Sequence, residues 1–175
     1  MQGCFRGVST LSLVIVLGGG STNTSAMDLT ALHELPGIYV QTQFGGEVHS
    51  GAPTANQLVM RVIKRFNSTG IKIYSTKEMR EVAGVPIFHV ELVLHKSSDD
   101  AYLYDVDTYL DQQVTLTRMP STNVQAITWR DGATGLIGAA RLDELGAIVD
   151  AHVDRFIHDY RAVNPNKPTN NPSTE

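Results

Sequence analysis

Apolar positions along this 175-residue chain fall into short runs whose period switches between two and about three and a half. The clearest run covers Val85 to His95. Phe88, Val90, Leu92 and Leu94 alternate with His89, Glu91, Val93 and His95, the period of a half-buried strand. The polar segment Lys96 to Asp100 turns the chain, and a second long strand opens at Ala101. There Tyr102, Tyr104 and Val106 share one face, while Asp105, Asp107 and Asp111 share the other. Pairing His95 with Ala101 sets Val90 against Val106 and Leu92 against Tyr104, and it opposes Glu91 to Asp105. Two facing carboxylates are unfavourable, so a register slipped by two residues competes, and only the face assignment is fixed.

Around this hairpin the elements alternate. The stretch PGIYVQTQF, entered through Pro36-Gly37, reads as a first strand. A glycine-rich loop follows, and Pro53 or Thr54 then opens a helix with Leu58, Val59, Val62, Ile63 and Phe66 at helical spacing. Gly70 stops that helix, and IKIYS (71–75) reads as a second strand. NVQAITWR (123–130) gives a further strand and DGATGLIG (131–138) a glycine-rich turn. A last helix runs from about Ala140 to Ala162. Its stripe is Leu142, Leu145, Val149, Phe156, Tyr160 and Val163, with His152 on the same side as a hydrogen-bonded core histidine. Asp143, Asp150, Asp154, His158 and Arg161 cover its solvent side, with Asp154 and His158 as an i,i+4 pair. The expected fold is α+β, a two-layer sandwich: a mostly antiparallel, mixed sheet of about five strands with two helices on one face.

The ends read differently. Residues 1–26 have the zones of a secretory signal: Arg6, an apolar core from Leu11 to Leu17, and small residues Thr24 and Ala26 placed for cleavage before Met27. That apolar run is far short of the roughly 20 residues a spanning helix needs. The expected organisation is a signal peptide over 1–26, one α+β domain over 27–163 and a disordered, proline- and asparagine-rich tail over 164–175. Cys4 is the single cysteine, so a mature chain starting at Met27 has no thiol for a disulfide, a metal or a nucleophile.

Composition narrows the function classes. The chain is 42% hydrophobic and 18% charged, with a net charge of −4. That is an ordinary globular balance, without the basic stripe of a nucleic-acid binder. No G-x-S-x-G elbow and no phosphate loop is present. The constellation that could carry chemistry is His89, Glu91, His95 and Asp107, with Asp105, on one sheet face. These are the ligand types of zinc or another divalent ion, although alternation alone also places polar residues on a solvated face. Trp129 is expected to pack in the core or at the sheet edge.

A signal followed by strand, helix, strands and helix resembles the small accessory proteins of the bacterial cell envelope, such as the lipopolysaccharide-assembly lipoproteins. The stretch from Ala126 to Pro165 is also similar to the C-terminal part of small exported bacterial proteins of no assigned activity. The chain lacks the acylated cysteine of a lipoprotein box, with Ser21 standing about where it would be. What the resemblance implies is a periplasmic or secreted, non-enzymatic binding protein with a protein partner in the envelope. It needs no cofactor and no nucleic acid, and its mature chain has no transmembrane segment. The alternatives are a metal-assisted hydrolase using the His89/Glu91/His95/Asp107 face, and a self-associating structural protein.

Overall fold

The computed structural model describes residues 29–46, 51–98 and 100–165. The signal-like residues 1–26 and positions 166–175 of the tail lie outside them. The described chain is an α+β structure with a mixed sheet of four strands in the order β1-β2-β3-β4. The strands are β1 (Tyr39–Gly46), β2 (Ile87–Ser98), β3 (Ala101–Leu116) and β4 (Met119–Gly138). The helices are α1 (Ala55–Asn67), the single turn α2 (Thr76–Met79) and α3 (Leu145–Val163), with 3-10 segments at Leu29–Leu32 and Ala139–Glu144. β1 pairs parallel with β2, and the two later pairings are antiparallel.

Local chemistry explains where α1 starts. Thr54 and Gln57 form a capping box: the Gln57 N–H donates to Thr54 Oγ1 and the Thr54 N–H to Gln57 Oε1. Two of the helix's otherwise unpaired donor sites are thereby satisfied. Leu58, Val62 and Phe66 then face inward.

The expected strand at IKIYS is absent, which is why the sheet has four strands and not five. Gly70, at φ +78, ends the preceding turn, and Ser75 already caps α2. The four residues between them make a single parallel bridge, Ile38 to Ile73. The expected turn at DGATGLIG is also corrected, since β4 runs straight through it. Its glycines answer to packing. A Cβ on Gly132 would lie 2.5 Å from the Val106 carbonyl, and one on Gly135 would lie 2.6 Å from the Tyr104 hydroxyl that crosses it. Neighbours occupy the space that a side chain would need.

The β2–β3 register is the slipped one: His95 pairs with Leu103, Leu92 with Val106 and Val90 with Thr108. The slip does not separate the acids, because Glu91 now faces Asp107. Hydrogen bonds make that pair tolerable, as described below. Phe88, Val90, Leu92, Leu94, Val106, Leu110 and Trp129 form the buried side of the sheet, each at most 1% exposed. Phe88 is the meeting point, with ring centroids 5.1 Å from Phe66 of α1 and 4.6 Å from Phe156 of α3.

The last helix begins later than expected, at Leu145, after the 3-10 segment. Its buried stripe is wider too, adding Val153 and Ile157. Asp150 turns toward α1, and Asp154, still 46% exposed, pairs with α1 as well. Arg61 Nε sits 2.8 Å from Asp150, and Arg65 holds Asp154 through two hydrogen bonds. Asp154 is thus taken by Arg65, and His158 Nδ1 lies 3.2 Å from Asp159 instead. Asn164 is buried and hydrogen-bonded, so the folded part runs at least one residue into the expected tail. Among the described residues no helix is long and apolar enough to cross a membrane.

Candidate binding surface

Because side chains alternate across a strand, a packed inner face leaves a second face of the sheet. Read across the strands, its rows are Gln41, His89, Tyr109 and Arg130; then Gln43, Glu91, Asp107 and Gly132; then Gly45, Val93, Asp105 and Thr134. His95, Leu103 and Leu136 form the row at one end, and Ile87, Asp111 and Ile127 the row at the other.

The central rows are knitted together. Arg130 grips Asp107 with both arms of its guanidinium, Nε to Oδ1 at 2.9 Å and Nη2 to Oδ2 at 2.6 Å. This fork geometry is the strong form of the ion pair. Asp107 correspondingly holds the Arg130 pKa above its ordinary value. The Tyr109 hydroxyl donates to Glu91 Oε1 at 2.7 Å, and the Thr134 hydroxyl to Asp105 Oδ1 at 3.1 Å. Burial, then that bond to Glu91, pushes the Tyr109 phenol up to about 12, so it stays protonated as the donor.

His89 stacks flat on Tyr109, with centroids 4.4 Å apart and planes 10° from parallel. Its Nε2 is buried without a hydrogen-bond partner among the described residues. Burial lowers the His89 pKa, against smaller opposing effects of Asp111 and Glu91.

These positions answer the sequence reading residue by residue. His89, Glu91, His95 and Asp107 do share one face. Glu91 and Asp107 are direct cross-strand neighbours, and His89 is two residues along β2 from Glu91. His95 is not brought to them: six residues of strand put it about 20 Å from His89. Among the described residues no group of three or more His, Cys, Asp or Glu is arranged to hold a metal ion. Glu91 and Asp107 are instead bonded to Tyr109 and Arg130. Tyr109 could have been found, since it shares the parity of Asp105, Asp107 and Asp111. Arg130 could not, because its position depends on the β3–β4 register, which no sequence pattern sets.

A second polar cluster lies where β4 meets α3. His152 Nδ1 is 2.7 Å and Arg155 Nε 3.1 Å from Asp131 Oδ2, and Trp129 Nε1 donates to Asp159 Oδ2 at 3.0 Å. His152 is therefore the hydrogen-bonded histidine expected on the stripe, and Trp129, 1% exposed, is core. These bonds fasten α3 to the sheet.

The orphaned ring nitrogen of His89 gives a test. A buried, unpaired polar atom costs about 1–3 kcal/mol. With its pKa lowered in the folded state, His89 binds its proton more readily when unfolded. Stability therefore falls as pH drops below the ordinary imidazole value. His89→Phe keeps a ring on Tyr109 and removes both effects. The variant is expected to gain about 1 kcal/mol at pH 7 and to lose less than the parent between pH 7 and 5. Urea midpoints of the two proteins at both pH values decide it, and an unchanged pH slope would count against the assignment.

No protein-family model matches the chain, and no curated protein sequence is similar to it. Among solved structures, the chain has a distant likeness to the hypothetical protein CT253 from Chlamydia trachomatis. The match covers 74% of this chain and 99% of that one, at 7% identity and a TM-score of 0.37.

Proposed function

We propose that this chain is a non-enzymatic binding protein, exported to the bacterial cell envelope and acting there as an accessory to an assembly. The observation that carries the reading is the outer sheet face. Leu136 is 68% exposed and Ile127 52%, on either side of a central charged band. Leu103, 38% exposed, pairs with Leu136, so the apolar surface at that end is contiguous and bordered by charged groups, as interaction surfaces are. β4 adds a second opportunity. It is an edge strand of 20 residues, and among the described residues nothing pairs with its outer side. Export is supported by the charge, apolar run and small residues of the first 26 positions.

The test uses the full chain in cells. A photo-crosslinking side chain at Leu136 is expected to trap one envelope protein reproducibly. The same probe at Met60, 66% exposed on α1, is expected to trap none. Failure to trap anything from the sheet face would remove the binding reading. N-terminal sequencing of the exported protein is expected to begin at Met27; an intact Met1 in the cytoplasm would remove the export reading. About one equivalent of metal that survives dialysis and is lost on His89→Ala would point to the hydrolase instead.

A further inference from the structure

We propose that the occupant of the outer sheet face is a basic, amphipathic helix of a protein partner, lying along β3. The proposal rests on the binding reading above and adds the partner's chemistry.

Backbone groups come first. Those of β2 and β3 are spent on their neighbours in the ladder. A segment placed over the face meets side chains only and must satisfy its own N–H and C=O groups, which a helix does and an extended strand does not.

Charge comes second. Asp105, Asp107 and Asp111 line β3, and Glu91 faces them from β2. Arg130 is the one guanidinium on the described rows, and it is bound to Asp107. Four carboxylates against one guanidinium leave an excess of three negative charges, which Lys or Arg of a partner would offset. Such complementarity sets orientation and selects against acidic partners.

Spacing comes third. Leu103 and Leu136 sit together at one end of the band, and Ile127 sits beside Asp111 at the other. Eight residues of β3 separate the two ends, about 27 Å. A helix rising 1.5 Å per residue covers that in about 18 residues. The matching segment has apolar residues at both ends of one face and cations between them.

The probe is an 18-residue helical peptide with leucines at the two ends of one face and lysines between, beside its glutamate-for-lysine counterpart. Binding to the full chain is followed by fluorescence anisotropy at low and high salt. The lysine peptide is expected to bind at least about tenfold more tightly than the glutamate peptide and to weaken as salt rises. The double substitution Asp105→Asn with Asp111→Asn should weaken it about tenfold and flatten its salt dependence. Leu136→Ser should weaken it and leave the salt dependence intact. Equal binding of the two peptides, binding of neither, or indifference to these variants would overturn the proposal. If Leu136 still traps an envelope protein in cells when the peptides show no preference, the basic-helix assignment falls and the binding reading stands. A crosslink from Leu136 to a second copy of this chain would overturn the partner helix in favour of self-association.

Discussion

Phe88→Ala is expected to cost about 3–5 kcal/mol, a large part of the roughly 5–15 kcal/mol that holds an ordinary domain together. Phe88 has no exposure, and its ring touches three others from three different elements: Phe66 of α1, Phe156 of α3 and Trp129 of β4. Phe156 also lies edge-on to Phe66 and Trp129, so the four rings form one cluster. A cavity at Phe88 cannot collapse from one side, because each wall is anchored elsewhere. Trp129 is tied to Asp159 through its indole N–H, and α1 is tied to α3 by Arg61 and Arg65. Phe88→Leu keeps most of the volume and should cost less than about 1.5 kcal/mol. Urea unfolding of both variants checks this through a shifted midpoint at unchanged slope. A cost below 1 kcal/mol for the alanine variant would mean that α1 and α3 do not close over Phe88.

That core was legible in the sequence because its signals are local. Alternation over Phe88 to Leu94 and the helical spacing of Leu58, Val62 and Phe66 behind Thr54 act within a few residues, and both elements form where they are written. The strand count was not legible. Ile71 to Tyr74 has strand-forming composition, but the caps on either side leave it one bridge long. The glycines of 131–138 read as a turn by composition, and only the nearness of Val106 and Tyr104 explains them inside a strand. The first is neighbouring caps overriding strand composition, and the second is tertiary packing overriding turn composition.

The candidate surface divides in the same way. Parity along β2 and β3 put His89, Glu91 and Asp107 on one face, and the structure keeps them there. Their partners come from sequence-distant positions: Arg130 is 23 residues from Asp107, and Tyr109 is 18 from Glu91. Those bonds let two opposed carboxylates survive in the register the sequence left open. Glu91, Asp105 and Asp107 are thus held by Tyr109, Thr134 and Arg130 of their own sheet, which lowers the cost of ordering them against a charged partner.

Asn164→Ala is expected to cost about 2–3 kcal/mol, although it removes only an amide just beyond the last helix. The side chain is 8% exposed and fully engaged. Its Nδ2 donates to the carbonyls of Leu32 and Tyr160, both at 2.8 Å, and its Oδ1 accepts the Glu34 N–H at 2.8 Å. Glu34 sits at φ +58, a left-handed conformation that a residue with a side chain adopts at a cost. The Asn164 bond helps to hold it there, and the Tyr160 hydroxyl holds the neighbouring Leu35 carbonyl at 3.2 Å. One side chain thus clips the segment before β1 to the end of α3, and alanine would take the acceptor from the Glu34 N–H and a donor from each of the Leu32 and Tyr160 carbonyls. The acidic variant separates hydrogen bonding from mere volume. Asn164→Asp keeps the acceptor for Glu34 but turns both donors into a carboxylate facing two carbonyls, so at pH 7 it should lose at least as much as alanine. That facing arrangement raises the new carboxyl's pKa in the folded state, so stability is lost as pH rises and recovered as pH falls. Thermal or urea unfolding at pH 7 and pH 4.5 therefore should show Asn164→Asp gaining on Asn164→Ala at the lower pH. Equal responses of the two variants would mean that Asn164 fills space and clips nothing.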